Sequence, residues 1–261
     1  MSTPTFRDRL VCSPCCLPRM PRAELYALYR ELGFTKYEGF CTWCVAQHDF
    51  RADPAAAREE AARYGLEITS FHLPQIGEDI EAGLADALTA ARFASQLSDN
   101  PPVLFKAASR EIFARATRPF LDALEGEGIR VVPVVQNHKG TAITTLEDYR
   151  EVLASANDPR LKGLLEVGHF ARVGTPWNAG WELLEGRIGL IHVNEIREGA
   201  SVLFGTGEVD FAGLLKQIKA SGYAGHIVVE LELATRDTEI PPTINGLRDA
   251  LTLLDELWEQ A

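Results

Sequence analysis

Four segments in the second half of the chain finish apolar runs in groups that can bind a metal or move a proton. They are Gln136 and His138 in VVPVVQNHKG, Glu166 and His169 in GLLEVGH, His192, Asn194 and Glu195 in IHVNEI, and Glu230 and Glu232 in IVVELEL. Residues two apart on an extended strand face the same side, so Gln136 with His138, His192 with Asn194, and Glu230 with Glu232 can each point into one space. A carboxylate inside an apolar strand carries a large desolvation cost unless it is paired or bound to a cation. One divalent metal ion would relieve several of them at once. Carboxylate, imidazole and amide oxygen suit Mn²⁺, Mg²⁺, Co²⁺ or Zn²⁺, and the sequence does not choose among these. The rival reading makes the same acids structural, bonded to backbone or basic neighbours; the burial cost weighs against it.

The elements that must position these groups alternate along the whole chain. Strand candidates run from Arg9 to Leu17, Lys36 to Trp43, Glu67 to Pro74, Pro102 to Ala107, Arg130 to His138, Leu161 to His169, Ile188 to Ile196 and Gly225 to Leu233. Helical patterns lie between them with boundary residues in place: Asp53-Pro54 before a helix that Gly65 stops, a capping box at Thr144-x-x-Glu147, Thr175-Pro176, and Asp210 before FAGLLKQIKASGY. An apolar stripe at helical spacing runs from about Pro242 to Glu259. Eight strand–helix units repeating roughly every 30 residues predict an α/β fold, a single (β/α)8 TIM barrel formed by residues 1–261 as one domain. A doubly wound sheet would more often show fewer strands and a Gly-rich first turn. Barrel chemistry gathers at the carboxyl ends of the strands. Of the six histidines, His72, His138, His169 and His192 fall at or near those ends.

With 26 basic and 37 acidic side chains the formal charge is −11, which repels nucleic acid and anionic membranes. The expected partner is a small-molecule substrate, with no nucleic acid and no membrane; a homo-oligomer is compatible with the sequence. No apolar run approaches the ~20 residues that span a bilayer, and MSTPTFRDRLVCSPCC lacks a signal-peptide core, so the expected location is cytoplasmic. All five cysteines lie early, as Cys12-x-x-Cys15-Cys16 and Cys41-x-x-Cys44. They end apolar runs and lack zinc-knuckle glycines, so they read as buried reduced thiols in preference to a metal or redox centre. His48 and His226 read as surface or structural residues. The GTGEVDF turn is a weak phosphate signal without GxGxxG at a first βα turn. Phe40, Trp43 and Trp177 could wall a sugar face, although packing beneath helices is the usual fate of such rings.

These segments together resemble the xylose isomerase-like barrel superfamily, the sugar and sugar-phosphate isomerases and epimerases grouped with endonuclease IV-type enzymes. VVQNHKGT is similar to its strand-five "lEnH" segment, GLLEVGH to "lDtgH", and RIGLIHVNEIREG to "rI.hvHlkD". GTGEVDFAGLLKQIKASGYAG is similar to "GeG.vdf..il..L...gY.G", and HIVVELE to the closing "i.iE". The resemblance implies one divalent metal held at Gln136, Glu166, His192 and Glu230. This chain departs from the pattern twice, with Gln136 where the family has Glu and Glu166 where it has Asp. The second change keeps the charge on a longer arm. The first removes a proton carrier, because an amide has no proton to exchange at neutral pH and can only orient or ligate.

The resulting expectation is a metal-dependent isomerase or epimerase of a small sugar, sugar phosphate or keto-polyol, working by proton transfer next to a carbonyl. Glu230 is the expected base, with His72 or His169 as catalytic partners. Lys106, His138, Asn194, Glu195, Arg197 and Glu232 are candidate substrate contacts, the cations facing a carboxylate, phosphate or developing oxyanion. A metal-dependent lyase or dehydratase on the same scaffold tolerates Gln136 better. A barrel that only binds a small ligand is the reading from outside catalysis. Phosphodiesterase action on damaged DNA would need a richer His/Asp set and a basic groove, which the charge opposes.

Overall fold

The computed structural model describes residues 5–233 and 239–261. Its parallel strands are β1 (Leu10–Cys12), β2 (Lys36–Phe40), β3 (Glu67–His72), β4 (Pro102–Leu104), β5 (Val132–Gln136), β6 (Lys162–Glu166) and β7 (Ile188–Val193). A small antiparallel hairpin follows, β8 (Ile196–Arg197) with β9 (Ala200–Ser201), and then β10 (Ile227–Val229). Strands β1 to β7 and β10 close into one eight-stranded barrel in the order β1-β10-β7-β6-β5-β4-β3-β2, with β2 pairing back onto β1. That is the (β/α)8 architecture the repeat predicts.

Helices α1 (Arg22–Glu31), α2 (Pro54–Arg63), α3 (Ile80–Ala94), α4 (Arg110–Gly126), α5 (Leu146–Ala156), α6 (Val167–Ala171), α7 (Trp177–Leu184), α8 (Phe211–Ser221) and α9 (Ile240–Gln260) fill the connections and the carboxyl end. Their starts follow local chemistry. Asp53 accepts from Ala55 N at 2.9 Å and Asp210 from Gly213 N at 2.8 Å, each satisfying a donor that has no partner within its helix. The capping box before α5 sits one residue later than the spacing predicts. Thr145 accepts from Asp148 N at 3.2 Å, and the Asp148 carboxylate takes the N–H of both Thr144 and Thr145. The shorter aspartate arm reaches two backbone donors at once, so it displaces Glu147 from the role.

The strands are shorter than the apolar runs that contain them, for identifiable reasons. The first stops at Cys12, because Pro14 has no N–H to donate and the chain enters a 3₁₀ turn over Pro14–Cys16 capped by Ser13. The sixth stops at Glu166, whose Oε1 accepts from Gly168 N at 3.2 Å and so starts α6 at once. His169 therefore lies on a helix, where the pattern predicts a strand. Only glycine fits at 168: a Cβ there would sit 2.7 Å from Asn194 Cβ.

Two cores result. Val11, Leu104, Val134, Leu164, Leu190 and Val228 plug the barrel interior and are fully buried. A larger apolar layer lies between strands and helices. The five cysteines are all buried and unpaired, with Cys16 Sγ accepting from Leu231 N at 3.2 Å.

His48 is buried in that outer layer against Phe71 and Phe93, 3.2 Å from the Tyr26 hydroxyl. Burial pushes its pKa down from 6.5 to about 3. The unfolded chain thus binds a proton there that the fold refuses, and stability present above pH 6.5 is lost as pH falls toward 3. Between pH 7 and pH 4 this one group removes about 3 kcal/mol at most. Denaturant unfolding of His48→Gln at both pH values should show a smaller acid loss than the parent; an identical loss would mean that His48 is not what titrates.

Candidate metal and active site

Alternation along the strands builds the site directly on the interior plug. Two residues beyond Val11, Leu104, Val134, Leu164, Leu190 and Val228 come Ser13, Lys106, Gln136, Glu166, His192 and Glu230, one layer nearer the carboxyl ends. Register brings them level, with Glu166 opposite His192 and His192 opposite Val228. On the other wall Glu38 pairs with Ser70 and Phe40 with His72.

His192 is the hub. Its Nδ1 lies 3.1 Å from Glu166 Oε2 and 3.2 Å from Glu230 Oε1, and its Nε2 lies 3.1 Å from Glu38 Oε1. Glu38, Glu166 and His192 are fully buried, and Glu230 nearly so. Glu38 also accepts from Ser13 Oγ at 3.0 Å and Ser70 Oγ at 3.2 Å, with His72 Nε2 3.3 Å away. Two overlapping groups could hold a cation, Glu166–His192–Glu230 and Glu38–His72–His192.

The first group fits a divalent ion better. His192 Nδ1 is within ion-pair reach of two carboxyl groups but aligned for a hydrogen bond with neither, so a buried nitrogen points between two carboxyl oxygens without a hydrogen-bond partner in line. Its other nitrogen is committed to Glu38, the carboxylate–histidine arrangement that fixes ring orientation and raises ligand basicity at metal centres. Gln136 adjoins this group through its amide, with Nε2 donating to Glu166 Oε2 at 3.3 Å.

The electrostatics follow from burying these charges together. Burial opposes a charged His192, yet Glu38, Glu230 and Glu166 outweigh it and hold the imidazole pKa well above its usual range. Burial pushes Glu230 up to about 8, with Glu166 adding to the shift and His192 opposing it. For Glu38, burial would raise the pKa, and the two imidazoles overcome it and hold the carboxyl low. His72 falls to about 4 and His169 to about 3, both chiefly by burial.

A cavity of about 340 Å³ opens above the cluster. Glu230, Glu232, His72, Gln136, His138, His169 and Lys106 line it with polar atoms; Phe40, Trp43, Phe105, Phe113 and Ile143 supply apolar walls. The His138 and His169 rings lie 3.6 Å apart between centroids. His169 Nδ1 accepts from Lys139 N at 3.3 Å and His138 Nδ1 faces Lys139 O at 2.9 Å, so the backbone of Lys139 sets both tautomers.

The family model described as Xylose isomerase-like TIM barrel matches residues 26–257. The chain belongs to that family. Among solved structures, this xylose isomerase-like barrel is similar to a probable 3-DHS dehydratase, AsbF, involved in petrobactin synthesis in Bacillus anthracis; identity is 14%, TM-score 0.74, and 94% of this chain covers 98% of that one. It is also similar to an IolI protein with a bound zinc atom (14% identity, TM-score 0.73, 97% of this chain and 98% of that chain). A third is 3-keto-D-glucoside 4-epimerase from E. coli (16% identity, TM-score 0.72, 94% and 98%). At such identities the likeness is one of fold. The search of curated proteins gives no match.

Within this barrel the expected residues separate into groups. Glu166, His192 and Glu230 converge, and Gln136, Lys106, His72, His138, His169 and Glu232 face the cavity with Glu230. Asn194 stands behind the wall, donating to Glu232 Oε2 at 3.2 Å and accepting from Ser201 Oγ at 3.2 Å. Glu195 and Arg197 are placed elsewhere. The Glu195 carboxylate accepts from the N–H groups of Ile196, Gly205 and Val209, organising the loop after β7. Arg197 is exposed and donates to Thr206 O at 3.0 Å. Both carry charges whose nearest use is backbone, and the spacing that aligned them with a strand end continued past the end of β7 at Val193.

Sequence reasoning missed Glu38, its supports Ser13 and Ser70, and Arg172, which pairs with Glu232 at 2.5 Å. The signal for Glu38 was partial: KYEGF is a strand candidate with an acid in it, but Lys36 and Gly39 interrupt the apolar run that marks the acid in GLLEVGH. Nothing in HFARVG marks Arg172.

Proposed function

We propose that this chain is a divalent-metal-dependent isomerase or epimerase of a small polyhydroxylated keto substrate, moving a proton on the carbon beside a carbonyl. The observation that carries the reading is the division of labour at His192. Glu166 and His192 are sealed beneath the cavity floor, whereas Glu230 belongs to the converging group and also lines the cavity. Glu166, His192 Nδ1 and Glu230 would hold the ion, with Gln136 orienting Glu166. Bound there, a divalent cation supplies Lewis-acid polarisation of a substrate oxygen.

The remaining chemistry falls to the chain's own groups. Glu230 faces the substrate carbon and takes or returns the proton. His72 and His169, both neutral near pH 7, are the candidates to exchange a proton on the other side. Glu232, fixed by Arg172 and Asn194, would hold a substrate hydroxyl. The apolar wall keeps bulk water from the reacting carbon. The family match and the fold shared with an epimerase and with a zinc-containing barrel support this reading.

Gln136 favours one rival. A lyase or dehydratase needs a single strong base, and the wall at β5 offers an amide where a second carboxylate would stand. Incubation with ketoses and keto acids in D2O, in the presence of Mn²⁺, Mg²⁺, Co²⁺ or Zn²⁺, separates the two. Deuterium should appear on the carbon next to the carbonyl without net loss of water, and should stop after the metal is chelated. Dehydration without wash-in would establish the lyase; exchange undiminished by chelation would remove the metal from the account.

A further inference from the structure

Among the described residues, Lys106 is a charge on the cavity lining without a protein partner. It follows the end of β4, pinned by its carbonyl accepting from Ile76 N at 2.9 Å and by the bridge between Ile76 and Ala107. Its side chain lines the cavity, half-buried, and among the described residues it makes no ion pair and no side-chain hydrogen bond. Arg172, the cation that holds the cavity carboxylate Glu232, is itself occupied by Glu232 and Ser201. Burial lowers the Lys106 pKa, with Cys41 and Glu38 opposing, so this ammonium gives up hydration and gains little from the protein in exchange. A half-buried Lys held on a fixed backbone without a partner suits a ligand anion.

Resting on the proposed isomerase or epimerase reading and narrowing its substrate, we infer that the substrate is a hydroxylated monocarboxylic acid whose carboxylate pairs with Lys106 while its carbonyl end lies over Glu230. Two observations select a carboxylate over a phosphate. Among the described residues Lys106 is the one Lys or Arg on the cavity lining, and Glu230 and Glu232 on the same lining oppose a dianion. Among those residues, too, no arginine fork faces the cavity, as bidentate phosphate recognition would use. Phe40, Phe105 and Phe113 wall the same cavity, together with Trp43, which is 65% exposed and in a left-handed backbone conformation (φ 80°). These rings suit the carbon face of a compact or cyclic acid, and about 340 Å³ admits a molecule of that size.

The test reads binding without turnover, so it stands apart from the fate of the isomerase reading. Calorimetric titration of the metal-loaded protein compares D-gluconate with D-glucitol, quinate with myo-inositol, and both acids with D-glucose 6-phosphate. At least one acid should bind about 10–100-fold tighter than its uncharged counterpart and tighter than the phosphate. Lys106→Met should abolish that preference and leave polyol binding unchanged, while Lys106→Arg restores most of it. Equal affinity for acids and polyols, undetectable acid binding, a Lys106→Met protein that keeps the preference, or a stronger phosphate ligand would each overturn the inference. The thermal midpoint of each variant, read alongside, separates a lost contact from a lost fold.

Discussion

Glu230→Gln should lower kcat by about 10²–10⁴-fold, the range for removing a general acid–base group, while the protein remains folded. Glutamine has nearly the shape of glutamate, so the cavity that Glu230 lines keeps its form. What disappears is the group's capacity to accept a proton. If the metal is held mainly by Glu166 and His192, the substituted side chain keeps an amide oxygen near it and the affinity for Mn²⁺ falls far less than turnover does. Steady-state rates with the substrate found by deuterium wash-in, together with metal titration of both proteins, separate the two roles. Turnover within a few-fold of the parent would transfer the base function to His72 or His169. Turnover and metal affinity falling in parallel would make Glu230 a ligand first.

The legibility of this molecule differs between its halves for a physical reason. In β5, β6, β7 and β10 the acid, amide or imidazole follows an uninterrupted apolar run, so the desolvation argument acts on Gln136, Glu166, His192 and Glu230 with little competing signal. In β2 (KYEGF) Glu38 is flanked by Tyr37 and Gly39 in a strand that begins with a lysine, and it resembles an ordinary edge pattern until the closed barrel buries Glu38 completely. Burial of that carboxylate is a property of closure, since its partners come from β3, β7 and the residue that follows β1. Glu195 errs the other way. It continues the strand that carries His192 only in sequence, because the strand has ended and the loop turns the carboxylate onto its own backbone. Pattern reading extrapolates a strand face past the point where hydrogen bonding stops, and the βα loops begin there.

Glu38 also offers the sharpest test of how the site is held together. Its carboxylate gathers Ser13, Ser70, His192 and the adjacent His72 around one fully buried charge. Glu38→Ala leaves the two hydroxyls and the His192 Nε2–H facing a cavity, and removes the anion that compensates an imidazole locked among acids. Deleting one member of such a buried ionic network costs about 3–5 kcal/mol, and denaturant unfolding should show a loss of that size. Glu38→Gln is the more informative change, because it keeps volume and one acceptor oxygen and should cost less, about 1–3 kcal/mol for an unmatched buried donor. Yet it weakens the acceptor that fixes His192, so Mn²⁺ or Zn²⁺ affinity should drop by about 10–100-fold, as for outer partners of metal-bound histidines. A positioning residue therefore predicts two separable effects, stability lost mostly in the alanine variant and metal affinity lost in both. Glu38→Gln binding metal like the parent would show that His192 is oriented by the barrel wall alone, and Glu38→Ala unfolding like the parent would show that the four groups around it find water or one another instead.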